Sequence, residues 1–134
     1  MDGMESSMEF ARSCEAAAAR HLEQRGWRIV ARNFRTRRGE IDIIASRGPI
    51  LAFVEVKGKR GTAYGSPAEM LTLPKRRRIV GAAIEYLQEH RVRRSSCRFD
   101  LVAVTAADGG RLSLEHIPGV FDLGDAREGR CWPS

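Results

Sequence analysis

Gly39-Glu40-Ile41-Asp42-Ile43-Ile44-Ala45-Ser46-Arg47-Gly48-Pro49-Ile50-Leu51-Ala52-Phe53-Val54-Glu55-Val56-Lys57 is the stretch whose reading decides the fold. Two runs rich in Ile and Val, split by the turn-forming Ser46-Arg47-Gly48-Pro49, read as a β-hairpin. The second run is apolar on both faces until its last residues, as in a strand buried inside a sheet. Charge breaks the pattern at three places: Asp42 in the first run, Glu55 and Lys57 in the second. Strand side chains alternate, so Glu55 and Lys57 share one face. With Arg47 to Ile50 as the loop, Ser46 pairs with Leu51, and counting back sets Asp42 opposite Glu55. Like charges directly opposite destabilise a sheet. Two carboxylates there, with a lysine beside them, form the pattern of a cation-holding site.

Upstream of the hairpin, Trp27 to Phe34 reads as a strand that enters it through the basic Arg35-Thr36-Arg37-Arg38. Before that strand, an Ala-rich helix is expected from about Met8 to Arg25, with Gly26 at the position where a glycine ends a helix. Phe10, Cys14, Ala17, Ala18, His21 and Leu22 mark its core stripe. Glu15 lies on the flank of that stripe, read either as a solvent-facing glutamate or as a carboxylate aimed at the hairpin.

Downstream, Gly58 to Gly65 reads as a glycine-rich basic loop carrying Lys59, Arg60 and Tyr64, and it lacks the spacing of a phosphate-cradling loop. Ser66-Pro67-Ala68-Glu69 starts a short helix. Thr72 caps a second one, whose stripe of Ile79, Val80, Ala83, Ile84 and Leu87 runs through about Glu89. Arg76 falls one turn before this stripe, on a face where an arginine needs an anionic partner or an open edge. Residues 90–98 form a polar connection. Arg98 to Thr105 is the next strand, with Phe99, Leu101 and Ala103 on one face and Asp100, Val102 and Val104 on the other. Asp108-Gly109-Gly110 turns the chain into an edge strand over Leu112 to Ile117. One domain over 8–121 is expected, with 1–7 and 122–134 as flexible termini.

A chain of 134 residues with 43% hydrophobic and 30% charged residues is globular and long enough to bury a core. No apolar run is long enough for a membrane span, and the N-terminal stretch lacks the layout of a secretory signal. Three cysteines, widely spaced and without a C-x-x-C pair, argue against a disulfide framework and a zinc site, which suits a cytoplasmic location. The net charge of +6 favours a polyanionic partner.

The chemistry of the hairpin residues follows from their types. Magnesium takes oxygen ligands, usually one or two carboxylates with water and substrate phosphate. Asp42 and Glu55 on adjacent strands can supply these, the Val56 carbonyl a third oxygen, and Glu15 a direct or water-mediated contact. Lys57 can point at the attacking water or the scissile phosphate. Arg35, Arg37, Arg38, Lys59, Arg60, Lys75, Arg76 and Arg78 could hold a nucleic acid through its phosphates. The same acidic residues also read as a surface ion-pair cluster with Lys57 or a nearby arginine. Against that stands the apolar context of Leu51 to Val56, where an unpaired carboxylate is costly.

Through Glu15, Ala31-Arg32-Asn33-Phe34-Arg35, Gly39-Glu40-Ile41-Asp42, Phe53-Val54-Glu55-Val56-Lys57, Lys75 and Arg98-Phe99-Asp100, the sequence resembles the YraN-like family of bacterial proteins. These are uncharacterised relatives of the PD-(D/E)xK endonuclease and Holliday-junction-resolvase-like superfamily. The resemblance covers about Arg12 to Phe121. It departs at Cys14, where the family usually has glycine, and at Gly58-Lys59-Arg60 after the motif lysine. It implies an α/β, restriction-endonuclease-like fold, a mixed central β-sheet flanked by helices, with Mg2+ or Mn2+ at the strand ends. The metal-binding and catalytic set would map onto Glu15, Asp42, Glu55 and Lys57. The expected function is metal-dependent hydrolysis of DNA phosphodiester bonds, with branched or structured DNA as substrate. The alternative is a non-catalytic nucleic-acid-binding module or interaction scaffold that keeps the fold. Branched DNA has two-fold character, so a homodimer would match it by symmetry.

Overall fold

A computed structural model of the chain describes residues 6–61, 67–92 and 96–121. Helix α1 (Ser7–Gln24) begins inside the segment expected to be loose, because Ser6 and Glu9 form a capping box. Ser6 Oγ accepts from the Glu9 amide at 3.1 Å and Glu9 Oε1 accepts from the Ser6 amide at 3.0 Å, so two amides left over at the helix start are satisfied. Gly26, at φ 89°, ends the helix as expected.

Strands β1 (Arg28–Arg35), β2 (Glu40–Arg47) and β3 (Ile50–Arg60) form an antiparallel meander. The hairpin register is the one read from the sequence, Ser46 opposite Leu51. The loop is shorter than expected, since Arg47 and Ile50 also pair and only Gly48 and Pro49 remain outside the ladder. Gly48 takes φ 57°, the positive value that the first residue of a two-residue hairpin loop requires. After the short α2 (Pro67–Met70), helix α3 (Leu73–Glu89) crosses over to β4 (Ser96–Ala106), which lies parallel to β3, and β5 (Leu112–Phe121) closes the sheet as an edge strand. The order β1-β2-β3-β4-β5 with one parallel pair makes a mixed α/β sheet flanked by helices, a restriction-endonuclease-like architecture.

Two boundaries differ from expectation for one reason. Gly58, Lys59 and Arg60 are strand rather than loop, paired with Val104, Thr105 and Ala106 of β4. That partner lies over 40 residues away in the chain, so local composition could not announce the extension. β5 likewise runs on to Phe121. The expected helix-capping Ser66, Tyr64 and the tail from 122 onward lie outside the described residues.

Each helix covers one face of the sheet. Cys14, Ala18, Ala19 and Leu22 of α1 pack with Trp27, Ile43, Ala45, Ala52, Val54, Val102 and Val104. Ile79, Ala82, Ala83, Tyr86 and Leu87 of α3 pack with Ile41, Ile44, Leu51, Phe53, Phe99 and Leu101. Small residues on both helices bring the backbones close. A Cβ on Gly39 would overlap the carbonyl of Arg78 in α3, so glycine is what lets α3 lie against the start of β2. Ile41 and Ile43 fall in opposite clusters, although strict alternation would place them on one face. The strand is therefore irregular at Asp42, between them. Cys14 is buried and outside any disulfide, whereas Cys97 is disulfide-bonded, although the cysteine count argued against a disulfide framework. Among the described residues no helix is long and apolar enough to cross a membrane.

Candidate functional site

The irregularity at Asp42 has a partner. The β2–β3 ladder ends at Ile43 opposite Val54, and the next inward amide, Val56 N–H, donates instead to Asp42 Oδ2 at 2.8 Å. The Asp42 side chain thus takes over where the backbone ladder stops, and it is buried, with 9% of its surface exposed. That burial argues against a surface position for Asp42.

Asp42 and Glu55 are hydrogen-bonded to each other through their side chains. Two carboxyl groups can do so only by sharing a proton. Burial pushes the Glu55 carboxyl up to about 8, with the neighbouring Asp42 charge adding to the shift and Lys57 and Lys75 opposing it. Burial also raises Asp42, against the lowering effect of the Val56 amide and the Glu55 hydrogen bond. The two carboxyls thus lie together just beyond the last paired residues of the β2–β3 ladder, and burial raises both.

Glu15, halfway along α1, is drawn into the same electrostatic group. Its carboxyl is raised first by burial and then by the Asp42 charge, while a hydrogen bond from Asn33 and the charge of Arg32 work in the other direction. Asn33 holds φ 52° inside β1, a backbone value that asparagine tolerates better than other side-chain-bearing residues. It has no role in the sequence reading; its left-handed backbone next to the irregular Asp42 is seen only in the structure. Glu40 adds a further negative charge felt by both Glu15 and Asp42.

Lys57 approaches from the side of β3 that carries Glu55, and Lys75 of α3 meets it there. Lys75 is lowered by a hydrogen bond with Lys57, then by burial and by the Lys57 charge, with Glu55 as the counterweight. Read from the sequence as one of the phosphate-holding cations, Lys75 thus stands beside the acid pair itself. On the opposite side of β3, Phe10, Cys14, Glu15, Val56, Lys59 and Arg60 line a cleft of about 460 Å³. Gly58 is exposed here, yet a Cβ on it would overlap Cys14 Sγ, so the two unusual residues fit one another.

The remaining basic residues divide. Arg37 and Arg38 are exposed where the chain enters β2, and Arg78 is exposed on α3. Arg35 is 3.3 Å from Glu40 in an exposed ion pair, which offsets part of its charge. Among the described residues Arg76 has no anionic partner: its Nε donates to the Leu71 carbonyl at 2.8 Å and its guanidinium lies 5.5 Å from the Phe121 ring. It braces the start of α3.

The donor set suits a hard divalent cation. Asp42, Glu55 and Glu15 offer only oxygen, the Val56 carbonyl is next to Glu55 in the chain, and the acid pair holds a proton where a cation would replace it. Among the described residues, no three His, Cys, Asp or Glu side chains are gathered as a ready cage. Two carboxylates with water and substrate oxygens are the usual magnesium arrangement, and this pair matches it.

A mixed sheet flanked by helices defines the class, a restriction-endonuclease-like domain, and a buried acid pair beside two lysines lies in that sheet. The model of the uncharacterised protein family UPF0102 matches residues 14–104. A UPF0102 protein of Myxococcus xanthus (strain DK1622) is 40% identical over 116 residues, covering 87% of this chain and 91% of the relative. One from Rhodococcus opacus (strain B4) is 46% identical over 107 residues, covering 80% and 91%. Another from Anaeromyxobacter dehalogenans (strain 2CP-C) is 46% identical over 118 residues, covering 88% and 87%. The chain belongs to the UPF0102 family, the YraN-like family its motifs resemble.

Proposed function

We propose that this protein is a divalent-metal-dependent endodeoxyribonuclease of the PD-(D/E)xK superfamily, acting on branched or structured DNA. The observation that carries the reading is the hydrogen-bonded Asp42–Glu55 pair set beside Lys57 and Lys75 at the end of the buried Leu51–Val54 run. An apolar replacement would be cheaper for folding alone, since a buried carboxyl pair is costly to keep.

Asp42 and Glu55 would hold Mg2+ or Mn2+, with the Val56 carbonyl and Glu15 on its flank. The bound cation would lower the pKa of a water and offset charge developing on the phosphate. Lys57 would place its ammonium against a non-bridging phosphate oxygen, and Lys75 would hold Lys57 in place from α3. Arg37, Arg38, Lys59, Arg60 and Arg78 would grip the phosphates on either side of the cleaved bond. In the hydrolysis, the water oxygen bonds to phosphorus, the bond to the leaving sugar oxygen breaks, and that oxygen takes up a proton.

The test is cleavage of a DNA panel (duplex, single strand, flap and four-way junction) by purified protein with Mg2+ or Mn2+. Asp42→Asn and Lys57→Ala should abolish cutting while circular dichroism stays unchanged. Equal cutting by wild type and both variants would sink the mechanism. Salt-sensitive DNA binding without cutting, indifferent to chelator, would replace it with the binding-module alternative.

A further inference from the structure

A second polar site lies toward the C-terminal end of α1. His21, Arg25, Trp27, Arg47, Arg98 and His116 line a cavity of about 460 Å³, with Leu114, Glu115 and Pro118 at its edge. Ten residues of helix separate Glu15 from Arg25, roughly 15 Å at the usual rise, so this cavity is distinct from the acid pair.

Behind two of its lining residues, Arg98 and His116, sits a buried carboxylate. Asp100, with a fully buried side chain, accepts from Arg98 Nε at 2.9 Å and Arg98 Nη2 at 3.0 Å, from the Gly119 amide at 3.1 Å, and pairs with His116 Nε2 at 2.8 Å. Burial would raise the Asp100 carboxyl, yet the bonds from His116, Arg98 and Gly119 outweigh it and hold the group below its ordinary value. Asp100 thus stays ionised and fixes Arg98 and His116 in place. The Trp27 ring is a second anchor. The Arg47 guanidinium lies 4.6 Å and that of Arg98 5.4 Å from the Trp27 ring centroid, and Arg47 Nη1 donates to the Arg25 carbonyl at 3.1 Å.

The charges do not cancel. Asp100 balances Arg98, and Glu115 alternates with Leu114 and His116 along β5, which turns its side chain to the other face of the sheet. Among the described residues Arg25 and Arg47 make no ion pair; Arg25 Nη1 meets only the His21 ring, at 3.3 Å from Nδ1. His21 is lowered first by burial and then by the charges of Arg25 and His116.

We propose that this cavity binds a phosphate monoester. Guanidinium forks match phosphate oxygens, and two of the three are already ordered by Trp27 and Asp100, which lowers the entropy lost on binding. The volume exceeds a bare phosphate and suits one carrying a sugar. The ligand is therefore a mononucleotide or the phosphorylated end of a nucleic-acid strand, and the site does not depend on the nuclease reading.

Trp27 fluorescence reads the site directly in a Trp132→Phe background, where it is the sole tryptophan. Thymidine monophosphate, a terminally phosphorylated oligothymidylate and the same strand with a terminal hydroxyl are titrated at constant ionic strength. A saturable change with thymidine monophosphate alone assigns the site to free nucleotides; a change with the phosphorylated strand but not its hydroxyl counterpart assigns it to strand ends. Arg25→Ala and Arg47→Ala, both at exposed side chains, should each weaken binding about tenfold or more, as loss of a charged hydrogen bond does, while Asp42→Asn leaves it unchanged. No saturable change with any phosphorylated probe, or an equal change with both arginines replaced, overturns the proposal.

Discussion

Replacing Glu55 by glutamine separates the acid pair from every other titrating group. The folded protein keeps a proton on Glu55 up to about pH 8, whereas the unfolded chain releases it near the ordinary value of 4.5. Between those limits the native state binds one more proton than the unfolded state, so stability falls as pH rises. One proton sets a slope of about 1.4 kcal/mol per pH unit. Because Asp42 and Glu55 share that proton, the pair counts once. Accumulated across the window, the loss is on the order of a few kcal/mol by pH 8, a large part of a small domain's stability. His21 works in the opposite sense: its folded pKa is lowered, so its contribution is present above the ordinary 6.5 and is lost as pH falls. It is common to both proteins and cancels in the difference. Urea unfolding of wild type and Glu55→Gln at several pH values between 5 and 8 should therefore give curves that diverge by about 1 kcal/mol per pH unit, with the variant the more stable at pH 8. Parallel curves would show that Glu55 holds no proton at neutral pH, and the account of the site would fail.

Three further outcomes follow. Mn2+ must displace the shared proton, so calorimetry should show tighter binding at pH 8 than at pH 6 with about one proton released, and none with Asp42→Asn; equal affinity at both pH values would contradict this. Gly58→Ala should destabilise the protein by about 1–3 kcal/mol through overlap with Cys14 Sγ, and Cys14→Ala should relieve most of it; strictly additive melting shifts would show no contact. Asp100→Asn should cost about 3 kcal/mol by stranding Arg98 and His116, and should flatten the acid limb of the stability profile. That limb exists because Asp100 is depressed below its ordinary 3.8, so its stabilisation is present above that value and lost as pH falls through the folded pKa; an unchanged acid limb would count against it.

Local patterns were enough to establish the hairpin, both long helices and the order of elements. Alternation of apolar residues, the Gly48-Pro49 turn, the Gly26 stop and the Ile79-to-Leu87 stripe each act over a few neighbouring residues, and such short-range preferences survive into the fold. The register from Arg47 to Ile43 was legible for the same reason, because a two-strand register can be counted from its turn; at Asp42 the paired ladder stops and a side chain takes over. The Cys14–Gly58 contact was visible only as two departures from a family pattern, with nothing to join them.

What tertiary structure alone decided depends on residues far apart in the chain. Parallel pairing with β4 turned Gly58 to Arg60 into strand. The packing of α3 across the sheet set the exposed Lys75 beside Lys57 and spent Arg76 on the Leu71 carbonyl. Glu15 meets Asn33 and the Asp42 charge only because α1 packs against the sheet beside β1 and β2. The cavity around Trp27 draws on α1, β2, β4 and β5, so no spacing in the sequence could reveal it. Sequence determined which charges lie along each strand and helix. The fold decided which of them share a proton, because desolvation and Coulomb energy depend on distance through space.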